Sequence, residues 1–113
     1  QEALCYLDDL IAASLTNVVE QIDVSDSPYY PGNRETVHAD TSAGAGAPFD
    51  IDVELPRASA GLRIHVMKSD VGANVVSING SMGELINGVA SYVRNNQYDS
   101  VTVYSDGTNW FVE

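Results

Sequence analysis

The stretch Ser100-Val-Thr-Val-Tyr-Ser-Asp-Gly-Thr-Asn-Trp-Phe-Val-Glu113 decides the fold. Val101, Val103 and Ser105 alternate with Thr102 and Tyr104, the two-residue period of a strand with unlike faces. Asp106-Gly107 supplies the positive-φ residues of a tight hairpin turn. Trp110-Phe111-Val112 is the return strand, so the segment reads as a β-hairpin closing a small strand-rich domain.

Upstream lies the clearest amphipathic strand. Phe49, Ile51, Val53 and Leu55 face one way, Asp50, Asp52 and Glu54 the other, and Pro56 ends the run. A second such strand sets Leu62, Ile64 and Val66 against Arg63, His65 and Met67. Paired as a hairpin, the two bring Glu54 opposite Arg63 and Asp52 opposite His65, each pair contributing roughly 0.2–1 kcal/mol. Shorter strands are expected at Glu35–Asp40, Asn74–Ile78, Glu84–Ile86 and Ala90–Arg94, punctuated by Asn79-Gly80, Asn87-Gly88 and Asn95-Asn96-Gln97. Strands this short, with turns every eight to twelve residues, predict a mainly β fold: a small antiparallel β-sandwich or jelly roll over residues 35–113. Its expected core includes Phe49, Ile51, Val53, Leu55, Ile64, Val66, Val75, Ile78, Val101, Val103 and Trp110.

Residues 1–34 differ. Leu4, Leu7, Ile11, Leu15, Val18 and Ile22 are spaced 3, 4, 4, 3 and 4 apart, the α-helical period. Ala12-Ala13 and the acids Asp8-Asp9 fit a helix over 3–17. From Val18 onward β-branched residues accumulate, and a strand with Ile22 and Val24 on one face is an equal reading. Ser25–Arg34, with two prolines and a glycine, breaks regular structure and separates this N-terminal anchoring or oligomerisation segment from the β-domain. Leu4, Leu7, Ile11, Leu15 and Val18 are the candidate contact stripe, for the fold itself, for other copies or for a larger assembly.

The chain has 113 residues, room for one domain and a modest core. Its 16 acids against 5 Lys and Arg give a formal net charge of −11. That field repels phosphate backbones and anionic headgroups, which argues against nucleic-acid and membrane partners. It serves solubility, and it also sets copies of the chain against one another except at built contacts. Cys5 is single, so no internal disulfide is expected. No run reaches the ~18 apolar residues of a membrane span. Gln1 in place of Met points to processing or trimming.

The ordered series Leu55-Pro56, Gly61-Leu-Arg-Ile-His-Val-Met-Lys68, Asp70, Ala73-Asn-Val-Val-Ser-Ile78, Leu85-Ile-Asn-Gly88, Tyr92 and Tyr98-Asp-Ser-Val-Thr-Val-Tyr-Ser-Asp-Gly-Thr-Asn-Trp110 resembles a domain of bacteriophage virion surface proteins. It recurs at tail-fibre tips and among head-decorating and head-spike proteins. The resemblance covers residues 36–113. It implies a small β-sandwich, commonly a homotrimer, located on the virion with a structural or attachment role. The chain departs from fibre tips in having one short helix-like segment where they have a shaft, which fits capsid decoration better. The major capsid protein is then the expected partner, beside further copies of the chain.

Reactive constellations are sparse. His38 and His65 lie on separate expected strands, and no nucleophile elbow accompanies the many serines and acids. One Cys and two scattered His give no zinc spacing. Asp50, Asp52 and Glu54 on one strand face lack the loop curvature that wraps Ca²⁺. Gly44-Ala-Gly46 lacks the Lys and helix of a phosphate loop. No catalytic residue, metal or cofactor is expected. The tyrosines Tyr29, Tyr30, Tyr92 and Tyr104, with Tyr98, are the candidate contacts for a host surface glycan, the alternative to decoration; aromatics so dispersed also serve as core edge.

Overall fold

The computed structural model describes residues 18–113. The helix expected over 3–17, and with it Leu4, Leu7, Ile11 and Leu15, lies outside the described residues. Eight strands follow in order: β1 (Val18–Asp23), β2 (Glu35–Asp40), β3 (Ile51–Glu54), β4 (Arg63–Lys68), β5 (Val76–Asn79), β6 (Ser91–Arg94), β7 (Ser100–Ser105) and β8 (Trp110–Val112). A 3₁₀ turn, Val24–Asp26, follows β1. The fold is mainly β. The helical spacing of Val18 and Ile22 does not extend the expected helix, because both residues stand in β1.

The strands form two mixed sheets, one of order β1-β2-β4-β7-β8 and one of order β3-β5-β6. Three pairs are parallel: β1 with β2, β2 with β4, and β3 with β5. This corrects the expected all-antiparallel arrangement. From β2 to β5 the chain alternates between sheets, so β2 and β4, and likewise β3 and β5, arrive beside each other pointing the same way. Such a parallel pair needs a crossover, and here the crossover runs through the other sheet.

The expected hairpin of residues 49–55 with 62–67 is absent, since β3 and β4 belong to different sheets. Asp52 stands beside Ser77 and Glu54 beside Asn79, while His65 stands between Thr36 and Thr102. The alternation in both segments marks an apolar face and does not say which strand lies beside it.

The closing hairpin is present, with β7 antiparallel to β8. Its loop is wider than the expected two-residue turn. Ser105 pairs with Trp110, and Asp106–Asn109 span the gap. Gly107 alone of the Asp-Gly pair takes positive φ, at 104°. The Asp106 carboxylate accepts N–H bonds from Thr108 (2.9 Å) and Asn109 (3.1 Å), an Asx-type closure.

Residues of both sheets build one apolar cluster. Val37, Ala39, Ile64, Val66 and Val103 come from the first sheet; Ile51, Val53, Val76 and Ile78 come from the second. Ile22, on β1, belongs to the same cluster. Val76, not Val75, is the fully buried valine of β5, and Ile86 is buried on an isolated bridge to Trp110. Phe49 is 65% exposed, outside the core assigned to it. Its N–H bonds to Thr41 O, which turns it out before β3 begins. Gly80 is forced by packing: a Cβ there would stand 2.1 Å from the Glu84 carbonyl oxygen.

Candidate assembly surfaces

The outer face of the first sheet is not covered by another element among the described residues. Alternation sends Ile64 and Val66 inward and Arg63, His65 and Met67 outward on β4. In register, Val19, Thr36, His65 and Thr102 form one row, and Gln21, His38, Met67 and Ser100 the next. A third row holds Arg63, Tyr104 and Phe111, the two rings 5.8 Å apart. None of these eight residues carries a carboxylate, amine or guanidinium, and the first row runs on past β8 to Glu113, whose N–H bonds to Thr102 O. Asp23 and Asp40 close one end, where each caps a turn. Arg63, ion-paired with Glu113, closes the other.

His65 donates to or accepts from the Thr102 hydroxyl across 2.6 Å. Burial and then the neighbouring His38 hold its imidazole below the ordinary histidine pKa. It stays neutral and adds no charge to this face at pH 7.

The second sheet's outer face is different. Its rows are Asp52, Ser77, Val93 and Glu54, Asn79, Ser91, so its acids concentrate on β3. Asp50, just before β3, accepts the Val75 N–H (2.8 Å), and Glu54 accepts from the Asn79 amide (3.2 Å). Among the described residues no three acid, His or Cys side chains converge as a metal site.

At the end where β2 and β4 finish, a polar knot is buried beneath the loops. Lys68 is fully buried on the inner face, two residues after Val66. Its Nζ reaches Asp70 Oδ2 (3.1 Å), Asp70 O (2.8 Å) and Gly72 O (2.9 Å). Asp70 also accepts the Thr41 N–H, the Thr41 hydroxyl and the Gly72 N–H, each at 2.8 Å. Burial alone would raise the Asp70 pKa; the donors from Thr41, Lys68 and Gly72 outweigh it and bring it to about 2. Three exposed apolar side chains hang from this knot: Phe49, bonded through its N–H to Thr41 O; Val71, between Asp70 and Gly72; and Tyr98, whose N–H bonds to Lys68 O (2.7 Å). Tyr98 takes φ 65° and is 67% exposed. A bulky residue held in the left-handed region costs of order 1–3 kcal/mol, and the bond to Lys68 fixes it there.

The candidate glycan tyrosines are not gathered. Tyr29 bridges to Val53 at the edge of β3 and donates to Glu35. Burial, then the Glu35 hydrogen bond and charge, raise its pKa. Tyr30 is exposed beside it. Tyr92 packs on the core with the Arg94 guanidinium 4.6 Å above its ring, and Tyr104 lies on the other sheet's outer face. Of the contact stripe, Val18 alone lies within the described residues, as the first residue of β1. Alternation Ile64-Val66-Lys68, followed by Asp70, was the available signal for the buried knot. Among the described residues no helix is long and apolar enough to cross a membrane.

No family model matches the chain, and no curated protein matches it.

Proposed function

We propose that this chain is a non-enzymatic structural protein of a bacteriophage virion, a homotrimeric β-sandwich that decorates the capsid surface and stabilises it. In this reading the two sheets stack face to face over their shared apolar cluster. The N-terminal segment 1–34, through Leu4, Leu7, Ile11, Leu15 and Val18, engages the major capsid protein or bundles copies of the chain. The observation that carries the reading is the pair of uncharged rows across β1, β2, β4 and β7, bordered by Asp23, Asp40, Arg63 and Glu113, in a chain of net charge −11. An uncharged patch inside a charged border is suited to being covered, and the acids around it keep the molecule soluble and apart from wrong neighbours. Binding the assembled shell and not its free subunits stabilises the shell by mass action.

The test uses purified heads lacking the protein. Added back, it binds at high copy number and raises the melting temperature of the heads. Leu7→Asp with Ile11→Asp abolishes binding while circular dichroism of the β-domain is unchanged. Binding that survives both substitutions removes the anchor assignment, and heads that neither bind the protein nor gain stability remove the decoration reading.

A second reading, a tail-fibre or head-fibre tip module for a host surface glycan, is favoured by Phe49, Val71 and Tyr98. They sit at the end opposite the entry of the N-terminal segment, about 20 Å away along six-residue strands. Aromatic faces in a fixed frame can stack on sugar rings. Binding to host cells in the absence of heads, lost in Tyr98→Ala, would replace decoration by adhesion.

A further inference from the structure

We infer that His38, His65 and Met67, on the outer face of the five-stranded sheet, form a site for one cuprous ion. The inference goes beyond the assembly reading above and is independent of it. All three ligands lie on β2 and β4, and neither a shell nor a second copy enters the site.

The first observation is placement. His38 on β2 and Met67 on β4 are direct partners in the parallel register. His65 precedes Met67 by two residues on β4, so the two share a face. Adjacent strands lie about 4.8 Å apart and two residues of strand rise about 6.6 Å, which sets His38 and His65 on a diagonal of about 8 Å, within reach of long side chains. Their proximity shows in the His65 pKa, lowered by burial first and by the His38 charge second. All three side chains are half-buried. β2 lies between β1 and β4, and β4 between β2 and β7, so the backbone that carries the ligands is paired on both sides. A site on such strands is held more precisely than one on loops.

The second is the state of the ligand atoms. His65 Nδ1 is engaged from β7 by the Thr102 hydroxyl at 2.6 Å. A partner on one ring nitrogen orients the imidazole and leaves the other, here Nε2, to a metal, the usual arrangement at metal-bound histidines. Among the described residues no hydrogen bond or ion pair engages the His38 ring or the Met67 sulfur, so neither gives up a protein partner on binding.

The third is the donor set. Imidazole suits several late transition ions, whereas a thioether selects soft ones, and copper as Cu(I) satisfies both. Calcium and magnesium want oxygen, which the three side chains do not supply. The acids that border this face have other partners. Asp40, two residues past His38, accepts from the Ser42 N–H and hydroxyl; Asp23, beside it on β1, accepts from Ser25; Glu113 pairs with Arg63. The net charge of −11 draws cations toward the molecule without choosing among them. The choice falls to two nitrogens and a sulfur, which the chain brings together only through the parallel pairing of β2 with β4.

The test is an anaerobic Cu(I) titration of the full chain carrying Cys5→Ser, which removes the competing thiol, against a chromogenic Cu(I) chelator. One ion binds per chain, and X-ray absorption at the copper edge shows both nitrogen and sulfur bonded to it. Zn²⁺ binds at least about tenfold more weakly. His38→Gln, His65→Gln and Met67→Leu each weaken Cu(I) binding at least about tenfold, with unchanged circular dichroism. Met82→Leu, at the other methionine, leaves it as it was. The absorption spectrum is taken with all three ligands in place, so it decides even where a variant fails to fold. No uptake by the Cys5→Ser chain, uptake indifferent to the histidine variants, a spectrum without sulfur, Zn²⁺ held as tightly as Cu(I), or equal weakening by Met82→Leu overturns the inference.

Discussion

The two ends of the molecule solve the same problem with different chemistry. At each end loops must be tied to strands whose backbone groups would otherwise be left open. Where β2 and β4 finish, the tie is ionic and buried: Lys68 and Asp70 hold the 69–72 loop, Thr41 and the start of the next segment. Where β7 turns into β8, the buried part of the tie is an indole, carboxamides and main-chain bonds, and the exposed Asp106 carboxylate closes the turn outside it. Trp110 N–H bonds to Leu85 O, Asn87 N–H bonds to Trp110 O, and the Asn109 and Asn87 carboxamides accept from Leu85 and Val112. An ion pair fixes geometry sharply and depends on every member being present. An aromatic with neutral amides depends on volume, and the carboxylate beside it, Asp106, is exposed in the turn. The first end carries the strained, exposed Tyr98, which needs the sharper tie.

The largest expected effect tests the end built on Trp110. Trp110 is fully buried, and among the described residues its Nε1–H is the buried side-chain donor with no partner. Trp110→Ala is expected to cost about 3–5 kcal/mol, read as a fall in the urea midpoint. A loss below about 1 kcal/mol would mean the loops at this end hold themselves.

At the ionic end, Lys68→Met keeps the length of the side chain and removes the amine. It leaves Asp70 buried without its cation and two carbonyls without a donor, for an expected loss of about 3 kcal/mol. The same variant frees Lys68's neighbours, so amide exchange at Thr41, Gly72 and Tyr98 rises more than at Trp110. Equal loss of protection at both ends would show that the knot is not a local device.

Acid probes the buried knot without mutation. Asp70 has a folded pKa of about 2 against an ordinary 3.8. A depressed pKa stabilises the fold above the unfolded value, and that stability is lost as pH falls through the folded one. Up to about 2 kcal/mol should therefore disappear between pH 4 and pH 2, and Asp70→Asn should flatten this part of the curve. His65, held below the ordinary histidine pKa, acts with the same sign in a higher window. Its contribution is complete above pH 6.5 and declines as pH falls below that.

Much of this was legible in the chain. Alternation and Asn-Gly or Asp-Gly punctuation placed most strands to within a residue or two, but Glu84–Ile86, read as a strand, makes only isolated bridges at Ile86. Neighbours were not legible. Residues 49–55 and 62–67 have the same pattern whether they pair or lie in opposite sheets, and only the topology decides. Val75 and Val76 are adjacent and equally apolar, so the two-residue period alone leaves β5 free to slip by one. Phe49 continues the alternation past the last paired residue, where a bond from its backbone to Thr41 turns it out. Lys68 reads as the start of a turn because lysine is rarely buried, yet it keeps the parity of Ile64 and Val66. The uncharged rows of the outer face need the strand order β1-β2-β4-β7 before they exist at all.

The finest contrast between the ends comes from two small substitutions. Thr41→Val keeps shape and the Thr41 N–H bond to Asp70 Oδ1 but removes the hydroxyl bond to Oδ2. A bond to an ionised carboxylate is worth about 1.5–3 kcal/mol, so the loss at pH 7 should fall near the low end of that range, since one of several donors is removed. The variant also lets the Asp70 pKa climb toward 3.8, so its deficit shrinks as the pH is lowered and the carboxylate protonates in both proteins. Asn109→Ala removes the acceptor of the Leu85 N–H, an exposed neutral bond worth about 0.5–1 kcal/mol. Its deficit should be the same at pH 7 and pH 2.5. Melting curves of the two variants at those pH values measure the difference directly: a Thr41→Val deficit that does not shrink in acid would place the knot's strength in packing, and the ionic account of that end would fall.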